Sequence, residues 1–523
     1  MGRMIVKGKE YASARVSSGG SASEAYAASE MRNYLEKLGI AEGDGAEISI
    51  RIDETVGRDG YAVTAGEDGR ITVTGGNGRG AIYGVYALLE RCAGVRYYMP
   101  GVEKIGADGL EIKADFSHTP VFEMRQSDWR CGNSSSEWSV KNGINHYARL
   151  DIPKEMGGGI RYGGFVHTMG SLVGTPWDRQ PCFSDPEVLK KAIAGVRAIL
   201  EKDPDINIVS VSQNDNQNYC TCDRCRAVDE EEGSHAGTLL RFVNAVAADI
   251  AEDYPDVVID TLAYQHTRKA PKITKPLPNV CIRLCSIECC FSHPLDDPSC
   301  PVNAAFYRDI VEWNKICDRI YIWDYVTCFP HYIPTFPNFG VLRKNMRFFA
   351  EHGVKGMYPE GNYQSVQSGE FGEVRCYLLA KLMMDPMMSE TDYLGHMDDF
   401  LEGYYGAGWR YIRSYIDWTA AEAAGWHMNI WNPPFDTISR EKYAAMEQTF
   451  DLWWDKAEEM AGDRIEAVKR SRLQWRYIKL MLHPDAEAGK VFFEEVKEKQ
   501  IRWREGQELP EHPDFAASPD TWW

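Results

Sequence analysis

Long apolar runs are missing from this sequence: nowhere does it hold the roughly 20 consecutive apolar residues that a membrane span needs. The opening Met-Gly-Arg-Met-Ile-Val-Lys-Gly-Lys-Glu has no apolar h-region and no cleavage site, so no secretory signal is read there. Positive charge is also short. Against 77 Asp and Glu stand 58 Lys and Arg, and the net charge of −19 argues against a nucleic-acid partner and gives no help with binding to an anionic membrane. Short repeats and low-complexity tracts are lacking. So are a nucleophile elbow, a lysine placed for a Schiff base, and the Lys-Ser/Thr of a phosphate-binding P-loop.

What is present suits a large globular protein. The 523 residues are too many for one ordinary core, so two or three domains are expected. Hydrophobic content of 44% and charged content of 26% are ordinary. Aromatic content is high, with 15 Trp, which serve equally as sugar-stacking faces and as large core fillers. Of the 14 Cys, many lie inside apolar segments (Cys281, Cys285, Cys317, Cys328, Cys376). They fit a reducing, cytoplasmic setting in which thiols act as small core residues.

Three regions follow from the periodicity. Residues 1–118 read as a small α/β domain. It has a helix over 21–38, strands at Ile48-Ser-Ile-Arg-Ile, Tyr61-Ala-Val-Thr and Ile71-Thr-Val-Thr, and a Gly-rich turn from Gly75 into a helix. Residues 119–390 alternate strands with helices. Strand-length apolar runs begin at Phe122, Ile206, Val257, Val280, Arg319 and Gly356; helical stretches cover 186–201, 237–253, 306–317 and 341–350. Near-continuous apolar strands alternating with helices predict a parallel sheet, and eight repeats would close a (β/α)8 TIM-like barrel. Residues 391–523 read as a helical region.

Carboxylates mark the strand ends. Ile320-Tyr-Ile-Trp-Asp-Tyr carries Asp324, and Gly356-Met-Tyr-Pro-Glu carries Glu360. In a barrel of this kind the catalytic groups sit at the carboxyl ends of strands. Ser210-Val-Ser-Gln-Asn-Asp follows another strand and offers Gln213, Asn214 and Asp215; Glu288 closes a further one. Two carboxyl groups suffice to hydrolyse a glycoside, one protonating the departing oxygen, the other attacking carbon or activating water. Trp129, His167, Tyr264, His293, Trp323 and Tyr325, at or near strand ends, would line the sugar pocket. An acidic sugar would call on Arg125, Arg161 or Arg283. Cys220-Thr-Cys-Asp-Arg-Cys225 has the spacing of three zinc thiolates. Its fourth ligand would come from Cys285, Cys289, Cys290, Cys300 or His235. Redox chemistry and simple packing are the alternatives for these thiols.

Two resemblances follow. Asn77-Gly-Arg-Gly-Ala-Ile-Tyr-Gly-Val-Tyr-Ala-Leu-Leu-Glu90 with Gly94-Val-Arg-Tyr-Tyr-Met-Pro100 resembles the small domain preceding the barrel in α-glucuronidases and related exo-acting glycosidases. His167-Thr, Ser212-Gln-Asn-Asp215, Tyr219-Cys-x-Cys-x-x-Cys225, Leu262-Ala-Tyr264 and the segment from Arg375 to Gly406 resemble an uncharacterised bacterial family, the domain of unknown function DUF4838. The α-glucuronidase resemblance implies a glutamate acid and a later Asp–Glu pair that positions water. Asp324 and Glu360 match the pair in order; the acid falls to Asp215 or Glu288, which departs from the pattern. The adjacent Asp-Glu pair of hexosaminidases has no barrel-strand counterpart, since Asp229-Glu230 lies in a charged helical run.

The expected function is therefore an exo-acting glycoside hydrolase of the α-glucuronidase-like type. It would act on an oligosaccharide ending in a uronic acid or N-acetylhexosamine, with no catalytic cofactor, a structural zinc at most, and a homo-oligomer compatible with it. The alternatives are a non-catalytic carbohydrate-binding protein on a barrel scaffold and a zinc-dependent enzyme.

Overall fold

The computed structural model describes residues 2–106, 109–146, 149–507, 514 and 517–519. They fall into two compact units, Met1–Gly159 with Val326–Met346 and Glu360–Trp523, and Ile160–Tyr325 with Arg347–Pro359.

In the first unit, a six-stranded sheet runs in the spatial order Phe116–His118, Tyr61–Ala65, Arg70–Gly75, Ala46–Ile52, Ser13–Ser18, Ala41–Glu42. Two helices, Ala22–Lys37 and Gly78–Ala93, pack together on it and share its core, including Met31, Leu35, Ile48, Val73, Ile82 and Leu88. Local chemistry sets the starts of both helices. Ser21 accepts from Glu24 N while the Glu24 carboxylate accepts from Ser21 N, a reciprocal cap. Asn77 accepts from Gly80 N at the second helix. The Gly-rich turn before that helix serves close backbone approach, for a Cβ on Gly76 would lie 1.7 Å from the Gly57 carbonyl oxygen. The helical region expected near the carboxyl end is also here: Gly372–Met384, Glu390–Tyr405, Trp409–Ala423, Arg440–Glu459, Ile465–Leu482 and Ala486–Glu498. Trp454 and Trp475 are fully buried within it, so much of the tryptophan content is core.

The second unit holds six strands of a curled, parallel half-barrel sheet of the TIM type. Their spatial order is Gly356–Glu360, Ile320–Tyr325, Val280–Cys285, Val258–Ala263, Ile208–Ser210, Tyr162–Gly163. Pairings from Tyr162–Gly163 through Ile320–Tyr325 are parallel and in sequence order, with Pro186–Lys202, Ala236–Asp253 and Asn303–Asn314 as crossover helices. Among the described residues no helix is long and apolar enough to cross a membrane. On one sheet face Arg283 pairs with Asp260 and lies over the rings of Tyr162 and Phe165, at 4.9 and 4.5 Å. A charge so placed needs its counter-charge there with it.

The first unit contains a second buried ionic knot. Asp59, 1% exposed, accepts from Arg125 and Arg79 at 2.8 Å each, from Asn77 at 2.9 Å and from Asn145 at 3.0 Å. Burial alone would raise its carboxyl; the two guanidinium groups overcome that and hold it well below the ordinary carboxylate range. Asp59→Asn would leave Arg125 buried without a counter-charge, and unfolding free energy should drop by about 3–5 kcal/mol. Because the native carboxyl is depressed, its contribution is complete above about pH 4 and fades as the pH falls further. Denaturant titrations of wild type and variant at pH 7 and pH 3 check both; equal midpoints at pH 7 would refute the knot's importance.

Candidate active site

The segment after Ile208–Ser210 is built from side-chain-to-backbone bonds. Gln213 donates its amide to the Tyr264 carbonyl at 3.0 Å and accepts from the Thr267 hydroxyl at 2.7 Å. Asn214 donates to the Pro176 and Arg179 carbonyls at 3.1 and 2.9 Å, and its backbone is gripped from both sides by the Gln180 amide. Both residues are fully buried. Expected as sugar ligands, they instead spend their amide donors on the protein and present the next residue, Asp215, which is exposed.

Asp215 accepts from the Tyr264 hydroxyl at 3.0 Å. Burial and the Asp215 charge raise the Tyr264 phenol, so it stays a donor. His167 stands beside this pair, its ring 6.2 Å from that of Tyr264. Its φ of +53° is a left-handed conformation rare for a residue with a Cβ, and Ser212 Oγ helps hold it by accepting from His167 N at 2.8 Å. Nδ1 lies 2.7 Å from the Gln213 carbonyl, which can only accept, so Nδ1 carries the hydrogen and Nε2 keeps its lone pair. Burial lowers the His167 pKa and favours the neutral ring. Trp177, 60% exposed, sets its indole edge-on to His167 at 5.6 Å. The sequence reading missed Trp177, whose loop has no periodicity to flag it.

Asp324 lies within Ile320–Tyr325 and is 5% exposed. Its hydrogen-bond partner is a hydroxyl rather than an arginine: Ser286 Oγ donates to Oδ1 at 2.7 Å. Burial pushes its pKa up to about 6, the Ser286 bond only partly offsetting this. Trp323 packs against Tyr358 and Phe165, with ring centroids 4.5 and 5.7 Å apart, and Tyr325 is buried beside Phe291. Glu288, expected as an alternative acid, is half-exposed and taken by Arg268 at 2.7 Å, which also holds Asp309 at 2.7 Å. That network suits a surface tie. His293 Nδ1 lies 3.2 Å from Cys290 Sγ, and the His293 carbonyl accepts from the Asn303 amide.

Glu360, the last residue of Gly356–Glu360, falls in the first unit, the rest of that strand in the second. Its strand end forms a parallel bridge with Asp128, and its carbonyl accepts from Val326 N at 2.9 Å. The buried Tyr332 phenol is raised by burial and by the charges of Glu505, Glu360, Tyr363 and Asp128. Tyr363 donates to Glu505 at 3.1 Å, and Arg149 lies 4.4 Å over the Tyr363 ring. Asp128 and Glu505 were not anticipated: Asp128 is the neighbour of the tryptophan that was, and Glu505 comes from the carboxyl-terminal tail. Trp129 is fully buried, and a Cβ on Gly361 would fall 2.2 Å from its indole. It is packing rather than an open stacking face.

The cysteine motif gains its fourth member from a residue not considered. Cys182 joins Cys220, Cys222 and Cys225, with all four sulfurs within 4.8 Å of one another. Cys285, Cys289, Cys290 and Cys300 lie outside this set, and His235 is bound to Asp229 at 2.6 Å instead.

A parallel half-barrel with carboxyl groups at its strand ends is an architecture of the TIM-barrel type. Residues 173–417 match the model of the family described as a domain of unknown function (DUF4838). Comparison with curated proteins returns no match. Among solved structures, a family GH115 4-O-methyl-α-glucuronidase with specificity for decorated arabinogalactans aligns at 13% identity and a TM-score of 0.61, covering 94% of this chain and 76% of its own. A GH138 enzyme targeting pectin rhamnogalacturonan II aligns at 11% identity and a TM-score of 0.56, covering 93% and 73%. At these identities the likeness is one of fold.

The raised carboxyl of Asp324 predicts a measurable pH effect. The group is neutral without penalty near pH 4, and its contribution is lost as the pH rises towards about 6. A shift of about two units corresponds to roughly 3 kcal/mol. Asp324→Asn should match wild-type stability near pH 4 and exceed it by up to about that amount at pH 8. A stability difference that does not change with pH would refute the assignment.

Proposed function

We propose that this protein is a glycoside hydrolase that cleaves a terminal glycosidic bond with carboxyl groups carried at strand ends. The observation that carries the proposal is Asp324, a carboxyl buried at a strand end, bonded to a hydroxyl and with a pKa of about 6. Such a group keeps a proton to give near neutral pH. Asp324 protonates the leaving oxygen as the bond to the anomeric carbon breaks. Water adds its hydroxyl to that carbon and yields its proton to a carboxylate, here Asp215. Tyr264 fixes the carboxylate, His167 offers an acceptor to a sugar hydroxyl, and Trp177 offers an exposed ring face. The shared fold with two polysaccharide-acting enzymes supports this reading.

For the substrate, the proposal is an exo-acting enzyme on a uronic acid or N-acetylhexosamine terminus. Arg125, Arg161 and Arg283 are each matched by aspartates, respectively Asp59, Asp203 with Asp205, and Asp260.

A panel of chromogenic glycosides that includes uronides and N-acetylhexosaminides should reveal turnover. On the best substrate, Asp324→Asn should reduce kcat by about 10²–10⁴-fold, while Glu288→Gln should stay near wild type. Glu360 is the base expected from its place at the end of Gly356–Glu360, and it is tested beside Asp215. Whichever of Asp215→Asn and Glu360→Gln abolishes turnover in a folded protein identifies the group that activates water. Sugar binding without hydrolysis across the panel would establish a carbohydrate-binding protein instead.

A further inference from the structure

We infer that Cys182, Cys220, Cys222 and Cys225 bind one zinc ion as four thiolates, and that this ion pins the loop presenting Asp215 to the loop presenting Trp177. The sulfur geometry is that of a metal site. Cys182 Sγ lies 3.7 Å from Cys222 Sγ and 3.6 Å from Cys225 Sγ. Zinc–sulfur bonds of about 2.3 Å in a tetrahedron place neighbouring sulfurs about 3.8 Å apart. A disulfide would require about 2.05 Å. Four sulfurs converging from two separate loops exceed what one redox pair uses, and four soft thiolates select zinc over harder cations.

The surroundings are those of a ligand sphere. Cys222 is the residue before Asp223–Glu232, Cys225 lies within that helix's first turn, and Cys182 precedes Pro186–Lys202. The ligands are therefore anchored by two helix starts. Ser184 Oγ lies 3.2 Å from Cys225 Sγ, where its hydroxyl can donate to a thiolate, the kind of outer contact that orients a ligand. With four protein ligands the sphere is closed, so the metal would be structural, and the zinc-dependent enzyme considered from the sequence is not favoured.

The site continues a seam of hydrogen bonds. Asn214, Asn216 and Asn218 donate across to the carbonyls of Pro176, Trp177 and Asp178, and Gln180 N donates back to Asn218 O at 3.0 Å. Zinc would close the end of this seam covalently. The assignment of the metal does not depend on the glycosidase proposal.

The test is elemental analysis of the protein purified without chelators and dialysed. About one zinc per chain is expected, with Cys182→Ser and Cys222→Ser falling well below this and Cys92→Ser, outside the set, unchanged. Replacing the metal by Co²⁺ should give thiolate-to-cobalt charge transfer and the visible bands of a tetrahedral site, a readout on the wild-type chain that stands even if a variant fails to fold. Stripping the zinc should speed proteolysis within residues 176–222. Metal content near zero in wild type, iron in place of zinc, or an octahedral cobalt spectrum would overturn the inference. Stoichiometric zinc with no gain in proteolysis on stripping would overturn the pinning role alone.

Discussion

Burial on both faces of the parallel sheet governs where this protein can do chemistry. Val280–Cys285 and Ile320–Tyr325 are buried along their whole length. Strands covered this way have no solvated face on which polar groups can gather. Those that do enter the interior, such as Arg283 and Asp260, must neutralise one another. Exposed polar function is displaced to the strand ends, where hydrogen-bonding geometry can be met by loops. Asp215, Tyr264 and Asp324 all occupy such ends, and their different depths give them different electrostatics. Asp215 faces water and a phenol. Asp324 faces a hydroxyl and protein, and burial raises its carboxyl above the ordinary carboxylate range.

The loops obey the same rule in reverse. A loop carries backbone carbonyls that need donors, and here asparagine and glutamine amides supply them. That explains why so polar a run as Ser212–Asn218 is ordered without regular structure. It also assigns its amides to scaffolding, leaving a carboxylate, an imidazole and an indole as the groups that can meet a ligand.

Much of this was legible in the sequence. Pro186–Lys202 and Ala236–Asp253 follow from helical periodicity, Asp185 caps the first, and the strands at Val258, Val280, Ile320 and Gly356 follow from apolar runs. The strand Tyr162–Gly163 did not show, because two residues in a Gly-rich stretch have no pattern to display. Asp324 was legible because one charge ends a run of apolar residues. The roles of Gln213 and Asn214 were not, since an amide looks the same whether it meets a sugar or a carbonyl. Cys182 was hidden by distance: thirty-eight positions separate it from Cys220, and only the parallel pairing of neighbouring strands brings their following loops together. Trp177, Asp128 and Glu505 likewise depend on tertiary placement.

The amide seam between the two loops has a consequence for altering what the protein recognises. Each Asn on one side is keyed to a particular main-chain oxygen on the other, so swapping any of them trades recognition for loss of order. Diversity introduced at Trp177 and Asp215 meets no such lock, because their side chains point away from the seam's bonding. A library confined to those outward positions should sample new ligands on an unchanged scaffold, whereas one spread along the whole run would mostly sample disrupted loops.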